Sequence, residues 1–264
     1  MSHEVVRTSA GVPAIRSVED DEVMHPGVGP LVEAQELYVR QSRLAERLRA
    51  GPLVLYDVGL GAGSNALAAR AVAQETGGRL ELVSFERDLG ALELALEEGA
   101  AFGLEGERAA AARALLERGR HESAHTTWRL VRGDLLEALD RQTVPADVVF
   151  WDPFSPRVNP ALWTVAAFAR VRAHAAARAT LFTYSASTAV RAAMLLGGWQ
   201  VGVGDGIGSK RQTTAAAVAL ADLARPLPPS WPARLARPDA PLPADAPPDA
   251  AQRVARLPQF LRGA

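Results

Sequence analysis

The sequence contains no cysteine among its 264 residues, which excludes disulfides and thiolate metal ligands and is typical of a reducing compartment. Lysine is nearly absent, since Lys210 is the single example, and arginine carries the remaining positive charge. The formal net charge is −1, so the chain has no overall electrostatic attraction for nucleic acid. Any contact with RNA must therefore depend on a local basic patch. The sequence predicts no metal site.

Long hydrophobic runs are also missing. No stretch approaches the roughly 18 uncharged apolar residues of a membrane-spanning helix. Residues 1–16 lack the apolar segment of a secretion signal. We therefore expect a cytoplasmic protein that has no contact with a membrane.

The composition divides the chain into three parts. Residues 1–50 combine a polar, turn-rich start with a helix over 31–50, which we expect to cover the edge of a sheet. Residues 51–222 carry the pattern of a single domain. Residues 223–264 contain ten of the eighteen prolines, and we expect a tail that is either disordered or extended along the surface.

A glycine-rich turn begins the main domain. A short apolar strand runs into Gly59, Gly61 and Gly63, and an alanine-rich helix follows at once. Ser64 stands where a dinucleotide-binding fingerprint requires its third glycine, which disfavours a nicotinamide oxidoreductase. Asp57, just before the turn, suits a cationic ligand that carries an amino acid better than a pyrophosphate. With the acidic residues described below, the turn predicts a site for S-adenosylmethionine.

Strand and helix patterns alternate along this domain. Seven strands are predicted, at residues 53–58, 79–86, 127–132, 147–152, 179–184, 199–203 and 212–220. The fourth is nearly all apolar, as a central parallel strand is, and the last two form a hairpin-like pair. The pattern predicts an α/β fold of Rossmann-like type, with a mostly parallel seven-stranded sheet and helices on both faces.

Acidic residues follow two of these strands. Glu86 stands 23 residues after Gly63, at the end of the second strand, where a carboxylate accepts hydrogen bonds from both ribose hydroxyls of a nucleoside. The alternative is a solvated acid that caps the next helix. Asp134 follows the third strand and either receives the adenine amino group or caps the helix over 135–139. Both are predicted to bind the cofactor.

The fourth strand ends in Asp152-Pro153-Phe154, which is similar to the Asp-Pro-Pro-Tyr/Phe motif of amine methylation. Methylation at nitrogen needs a neutral amine with its lone pair aimed at the methyl group, and a fixed carboxylate orients the amine and receives or relays its proton. We therefore predict that Asp152 and Phe154 are catalytic, with Phe154 packing on the substrate or the methyl group. The alternative is an aspartate that caps a turn. Asn159 and Pro160 predict the start of the next helix.

Residues 152–163, Asp-Pro-Phe-Ser-Pro-Arg-Val-Asn-Pro-Ala-Leu-Trp, resemble the Asp-Gly-Phe-Ala-Pro-x-x-Asn-Pro-x-x-Trp stretch of MnmC-type methyltransferase domains. Further segments resemble this family in the same order, at residues 29–39, 59–65, 182–191 and 206–211. The resemblance spans about residues 20–220. Pro153 replaces a family glycine, and Ser64 replaces a leucine beside the glycine turn.

The resemblance implies a class I methyltransferase that transfers methyl from S-adenosylmethionine to the aminomethyl nitrogen of 5-aminomethyl-2-thiouridine, at the wobble position of tRNA. Asp152 would face the amine. The predicted cofactor-binding residues are Asp57, Gly59, Gly61, Gly63, Asn65, Glu86, Asp134 and Asp152. We expect no oxidase half, so a separate oxidoreductase would supply the aminomethyl substrate.

For tRNA, a basic rim is predicted on the same face, and its residues are Arg157, Arg191, Lys210 and Arg211. The alternative is that these are solvated loop residues. Trp151 and Trp163 are predicted to be core residues rather than stacking platforms. Two other functions stay open, a methyltransferase of a small amine or a protein and a protein that binds cofactor or RNA without turnover. The sequence leaves the oligomeric state open.

Overall fold

The structure of the protein is a computed structural model, which describes residues 2–208, 211–237 and 239–261. Its strands are β1 (His3–Arg7), β2 (Pro13–Ser17), β3 (Glu22–Val23), β4 (Leu53–Val58), β5 (Leu80–Glu86), β6 (Arg120–Glu122), β7 (Thr126–Arg132), β8 (Ala146–Trp151), β9 (Ala175–Thr183), β10 (Gln200–Gly204) and β11 (Thr213–Ala217). Its α-helices are α1 (Pro30–Glu33), α2 (Leu44–Ala50), α3 (Ser64–Thr76), α4 (Gly90–Glu98), α5 (Gly106–Arg118), α6 (Leu135–Leu139), α7 (Val165–Ala173), α8 (Thr188–Leu196), α9 (Ala250–Ala255) and α10 (Pro258–Leu261).

The central sheet has eight strands in the order β10-β11-β9-β8-β4-β5-β7-β6. Strands β4, β5, β7, β8 and β9 pair in parallel, whereas β6 at one edge and the β10–β11 hairpin at the other pair antiparallel. The predicted α/β fold with a mostly parallel sheet is confirmed. The eighth strand, β6, was not predicted because it is three residues long and mostly exposed, so it has no hydrophobic alternation.

Helices cover both faces of the sheet. On one face α2, α3, α4 and α5 pack in a cluster that contains Leu48, Leu92 and Leu115. On the other face α6, α7 and α8 pack in a cluster that contains Phe168 and Trp199. From β4 the chain winds outward through β5 to β7, and then crosses back to β8 on the other side of β4. This reversal leaves a crevice at the carboxyl ends of β4 and β8, where open α/β sheets bind their ligands.

The segment over residues 30–50 differs from the single helix that was predicted at a sheet edge. It begins as α1, continues as a π-helix over Ala34–Arg40, and resumes as α2 after Arg43, whose φ of 53° interrupts the helix. Leu37 and Leu44 are buried against α3 and the sheet, so the segment covers a face instead of an edge. Before it, β1, β2 and β3 form a small antiparallel sheet that packs on α4.

The helix predicted to start at Asn159 begins later. Residues Pro160–Trp163 form a 3₁₀ turn, and Asn159 makes no side-chain capping hydrogen bond. Thr164 caps α7 instead, because its side chain accepts a hydrogen bond from the N–H of Ala167 at 3.1 Å.

The proline-rich tail is packed against the domain. Leu227, Trp231 and Val254 are buried in the cluster beside α8, and the rings of Trp231 and Phe260 stack with centroids 6.2 Å apart. The side chain of Gln259 bonds both the N–H and the carbonyl of Val201, as a neighbouring strand would. The expectation of a disordered tail is therefore wrong for the part of the tail that the structure describes. The domain boundaries at residues 50 and 222 stay a prediction. Among the described helices, none is long and apolar enough to cross a membrane.

Candidate active site

A cavity of about 350 Å³ lies at the carboxyl ends of β4, β5, β7 and β8, in the crevice left by the reversal of the chain. Its described walls carry six carboxylates, which belong to Glu22, Glu33, Glu86, Asp88, Asp134 and Asp152. Arg87 and His25 supply the basic side chains on the same walls. A cavity with this excess of acidic groups favours cationic ligands.

The glycine turn forms one wall of the cavity, where its backbone lies close to the backbone of Asp152. Gly59 has a φ of 86°, and a Cβ placed on it would lie 2.5 Å from the carbonyl oxygen of Asp152. Gly61 has a φ of 51° and also faces the cavity. Gly63 does not line the cavity; it precedes α3 and lies against Leu92. Only residues without a side chain allow this path, and the result is a flat wall of backbone.

Glu86 is fixed in the cavity wall by three backbone N–H groups. Its Oε1 accepts hydrogen bonds from Arg87 at 2.7 Å and Asp88 at 3.1 Å, and its Oε2 accepts one from Gly61 at 3.1 Å. Burial raises the pKa of this carboxyl, and the backbone hydrogen bonds oppose that shift. Three of the roughly four lone-pair sites of this carboxylate are thus occupied, which leaves one on Oε2 that can accept a ribose hydroxyl.

Asp134 lines the same cavity and caps α6. Its Oδ1 accepts hydrogen bonds from the N–H groups of Leu136 at 2.8 Å and Glu137 at 3.3 Å. The structure therefore shows the capping alternative. The contact between the other carboxylate oxygen of Asp134 and adenine stays a proposal.

Asp57 differs from its prediction, because it lies beneath the glycine turn and is absent from the cavity walls. It is fully buried, and its Oδ2 accepts a 2.7 Å hydrogen bond from the hydroxyl of Ser84, which in turn accepts one from the indole of Trp128. Burial raises the pKa of Asp57 to about 7. The side chain points into the protein, so Asp57 bonds the neighbouring strand β5 and does not line the cavity.

Asp152 lies in the acidic wall of the cavity, directly after β8. Its side chain is 8% exposed, and its Oδ2 accepts a 2.7 Å hydrogen bond from the side-chain amide of Asn65. Burial raises the pKa of Asp152, while the neighbouring His25 lowers it. Asn65 is buried in the first turn of α3 and is absent from the cavity walls, so it positions Asp152 instead of contacting a cofactor directly. Phe154 lines the cavity two residues on, and its contact with a substrate stays a prediction.

Four residues beside Asp152 were missing from the sequence prediction. Nδ1 of His25 donates a 2.8 Å hydrogen bond to Oε2 of Glu33, and Nε2 of His25 lies 3.7 Å from Oδ2 of Asp152. The hydroxyl of Tyr184 donates to the carbonyl of Pro153 at 3.1 Å. Tyr38 is buried nearby, and burial and the charge of Asp152 raise its pKa well above the ordinary value. Glu33 and Tyr184 lie in segments that resemble the family, whereas the turn around His25 carries no periodic signal.

The predicted basic rim is only partly present. Arg157 is exposed and donates to the backbone carbonyls of Asp20 and Asp21. Arg211 is exposed in the loop before β11. Arg191 is not on the rim: it is buried and bonds Thr214, Gln212 and the carbonyl of Thr213, so the prediction of a phosphate contact is wrong for this residue. Lys210 lies outside the described residues.

The two tryptophans near the site are core residues, as predicted. Trp151 is fully buried and packs against Trp163 and Phe168. The indole N–H of Trp163 donates a 2.8 Å hydrogen bond to the carbonyl of Phe154. This bond holds the loop that follows Asp152, and neither ring is available to stack on a base.

The chain is similar to a family of methyltransferases and to proteins named for tRNA modification. A family model described as S-adenosyl-L-methionine-dependent methyltransferase matches residues 107–219. The tRNA 5-methylaminomethyl-2-thiouridine biosynthesis bifunctional protein MnmC of Ralstonia nicotianae is 30% identical over an alignment of 212 positions, which covers 76% of this chain and 32% of that protein. The protein of the same name from Methylibium petroleiphilum is 32% identical over an alignment of 239 positions, which covers 84% of this chain and 35% of that protein. The chain thus spans about a third of the length of these curated relatives.

Among solved structures, MnmC2 from Aquifex aeolicus superimposes with a TM-score of 0.74 at 24% sequence identity, covering 97% of this chain and 86% of that one. This likeness confirms the fold. The donor set fits the cofactor of the matched family, since an acidic cavity with a flat glycine wall accommodates a positively charged sulfonium ligand. The chain belongs to the S-adenosyl-L-methionine-dependent methyltransferases, and its methyltransferase domain is of the MnmC type.

Proposed function

We propose that this chain methylates the nitrogen of a primary amine, and that the amine is the aminomethyl group of 5-aminomethyl-2-thiouridine at the wobble position of tRNA. The observation that carries the proposal is Asp152, a carboxylate fixed by Asn65 at the base of an acidic cavity. The relatives named for tRNA 5-methylaminomethyl-2-thiouridine biosynthesis support the choice of substrate.

S-Adenosylmethionine, when bound, supplies the methyl group as an electrophile. The residues that would hold it are Gly59 and Gly61 through close backbone contact, Glu86 through a ribose hydroxyl and Asp134 through the adenine. Each of these lines the cavity, so the cofactor and the amine would share one site with Asp152.

The carboxylate of Asp152 would do two things for an amine. Its charge attracts the ammonium form into the cavity. Its free lone pairs accept an N–H of the amine and so fix the direction of the nitrogen lone pair, which converts an encounter between two molecules into a reaction within one complex. Phe154 and Tyr184 line the same cavity, and their rings would reduce the water around a bound amine and so strengthen both effects.

The tRNA would contact the rim of the cavity. Arg157 and Arg211 are the predicted basic residues that the structure leaves exposed, and they would bind backbone phosphates. We further propose that a separate oxidoreductase supplies the aminomethyl group and that both proteins act in the cytoplasm.

The acidic cavity also favours a second candidate, a methyltransferase of a small free amine. The burial of Arg191 reduces the basic surface available to RNA, while the six wall carboxylates attract any cationic amine. A substrate of this class would be methylated without RNA.

The test uses bulk tRNA from cells that lack this methylation. The tRNA is incubated with the protein and S-adenosylmethionine, digested to nucleosides and analysed by mass spectrometry. The proposal expects one added methyl group on 5-aminomethyl-2-thiouridine. Turnover of free amines with no change in the tRNA would instead support the second candidate, and binding of the cofactor without methylation of either would contradict both.

A further inference from the structure

Glu22 is a residue of the cavity wall whose carboxylate is bound by the protein itself. It lies in β3 of the small antiparallel sheet, and its side chain is 19% exposed. Its Oε1 accepts a 2.7 Å hydrogen bond from the N–H of Ser155, and its Oε2 accepts one from the hydroxyl of the same residue. Both oxygens of Glu22 are therefore engaged by the loop that follows Asp152, at a residue 133 positions further along the chain.

This loop places Asp152 and Phe154 in the cavity wall. The central domain holds the beginning of the loop, since the N–H of Asp152 donates to a backbone carbonyl of β4 at 2.9 Å and Trp163 donates to the carbonyl of Phe154. The N–H of Ser155, the next residue, donates to Glu22 instead. The far end of the loop therefore depends on the small sheet.

A second residue of the loop contacts the same part of the small sheet. Nη2 of Arg157 donates to the backbone carbonyls of Asp20 at 3.1 Å and Asp21 at 3.2 Å, and it lies 3.4 Å from Oε2 of Glu22. The side chain of Arg157 is 63% exposed, and an ion pair in such a position contributes little. The hydrogen bonds between Glu22 and Ser155 are consequently the main attachment.

The two bonds from Ser155 suit a positioning role. A hydrogen bond to a carboxylate is stronger than one between neutral groups, and two donors on one residue fix its orientation as well as its distance. Methyl transfer needs the nitrogen in line with the methyl group, and a shift of about 1 Å in the groups that orient a substrate can cost about 100-fold in rate. A loop that is held at both ends keeps Asp152 and Phe154 within that tolerance.

From these contacts we propose that Glu22 is a positioning residue for methyl transfer. Its carboxylate holds Ser155 and so fixes the loop that carries Asp152 and Phe154, and it does not itself bind the amine. The small sheet is thereby part of the active site. This inference rests on the proposed N-methylation.

The first test is a double-mutant cycle on the single-turnover rate with tRNA that bears 5-aminomethyl-2-thiouridine. Glu22→Ala should lower this rate by about 10–100-fold, because hydrogen bonds to a charged acceptor are lost. Ser155→Ala removes only the hydroxyl donor, so it should lower the rate by about 3–10-fold in the wild type and by less than about twofold in Glu22→Ala.

Two outcomes of this cycle would overturn the proposal. One is a rate for Glu22→Ala within about threefold of the wild type. The other is an equal effect of Ser155→Ala in both backgrounds, which would show that the two residues act independently. Affinity for S-adenosylhomocysteine, measured by calorimetry, should stay within about threefold in every variant, since the proposed role concerns the loop and not the cofactor.

The second test separates positioning from attraction of the amine by charge. Glu22→Gln keeps an oxygen that accepts the N–H of Ser155 but removes the negative charge. Its rate should exceed that of Glu22→Ala by at least about fivefold. Equal rates for the two variants would show that the charge of Glu22 matters and would contradict a positioning role.

A matched variant controls for the loss of an acidic side chain from this part of the chain. Glu19 is exposed in the turn between β2 and β3 and is not among the described residues that line the cavity. Glu19→Ala should have the rate of the wild type. A fall equal to that of Glu22→Ala would assign the loss to the general charge of the turn and would overturn the specific role of Glu22.

A third measurement does not depend on turnover. Hydrogen exchange at the amide of Ser155, followed by NMR, should be at least about tenfold faster in Glu22→Ala than in the wild type and unchanged in Glu19→Ala. If exchange does not depend on Glu22 while the wild type methylates the tRNA, the proposed function stands and this inference fails. If exchange does depend on Glu22 but the wild type methylates no amine, the proposed function fails while the action of Glu22 on the loop stands.

Discussion

The side-chain amide of Asn65 donates a 2.7 Å hydrogen bond to Oδ2 of Asp152. This contact joins the first turn of α3 to the end of β8, two elements that are 87 residues apart in sequence. It fixes the carboxylate on which the proposed chemistry depends. The glycine turn passes close to the same aspartate, since a Cβ placed on Gly59 would lie 2.5 Å from the carbonyl oxygen of Asp152.

Asn65→Ala is expected to slow methyl transfer without preventing cofactor binding. Loss of a hydrogen bond to a charged group costs about 1.5–3 kcal/mol, which corresponds to a fall of roughly 10–150-fold in kcat. Gln74→Ala, on the exposed face of the same helix, is the control and should leave kcat unchanged. Equal kcat values for the two variants would show that Asn65 does not position Asp152.

Gly59→Ala is expected to lower the free energy of unfolding of the domain more than Gly77→Ala does. Both glycines have a positive φ, 86° and 70°, so each substitution adds backbone strain of about 1–2 kcal/mol. Only at Gly59 does the new Cβ also meet backbone atoms, at 2.5 Å. Urea unfolding should therefore give a loss for Gly59→Ala that exceeds that for Gly77→Ala by at least about 1 kcal/mol. Similar losses would contradict the close approach to Asp152.

Asp57 should make the free energy of unfolding depend on pH. Its pKa in the folded protein is raised to about 7, so between pH 4 and pH 7 the folded state binds a proton that the unfolded state has lost. The contribution of Asp57 to the free energy of unfolding is fully present below its unfolded pKa of about 4. This contribution is lost as the pH rises to 7, by an amount on the order of 4 kcal/mol at most. Asp57→Asn should flatten this slope in urea unfolding. An unchanged slope would show that Asp57 titrates normally.

Trp231→Ala tests whether the tail belongs to the folded domain. The indole is buried in the cluster beside α8, so its removal should cost about 3–5 kcal/mol in the free energy of unfolding. Leu242→Ala, in an exposed part of the same tail, is the matched control and should change that free energy by less than about 0.5 kcal/mol. A negligible effect at both positions would mean that the tail adds no stability.

Much of the fold follows from local sequence. The strands are marked by their apolar pattern, and the turn is marked by its glycines. The acids Glu86 and Asp152 follow or end strands, and the carboxyl ends of parallel strands lie at one edge of the sheet. These features were predictable because each depends on residues close together in the chain.

The remaining features depend on contacts that local patterns do not encode. Arg191 is drawn into the protein by three acceptors on residues 212–214, and no signal on its own helix shows this. His25 gains its place from Glu33 and from an uncommon backbone conformation in a turn. The tail packs because a few large apolar side chains, among them Trp231, outweigh its proline-rich composition.

The most direct test of the central claim compares wild type and Asp152→Ala in a single turnover with tRNA that bears 5-aminomethyl-2-thiouridine. Removing the carboxylate that orients the amine should lower the rate of methyl transfer by about 10²–10⁴-fold. Binding of S-adenosylhomocysteine, measured by calorimetry, should persist because the glycine wall and Glu86 remain. Equal rates of methylation by the two proteins would remove Asp152 from the mechanism and contradict the account.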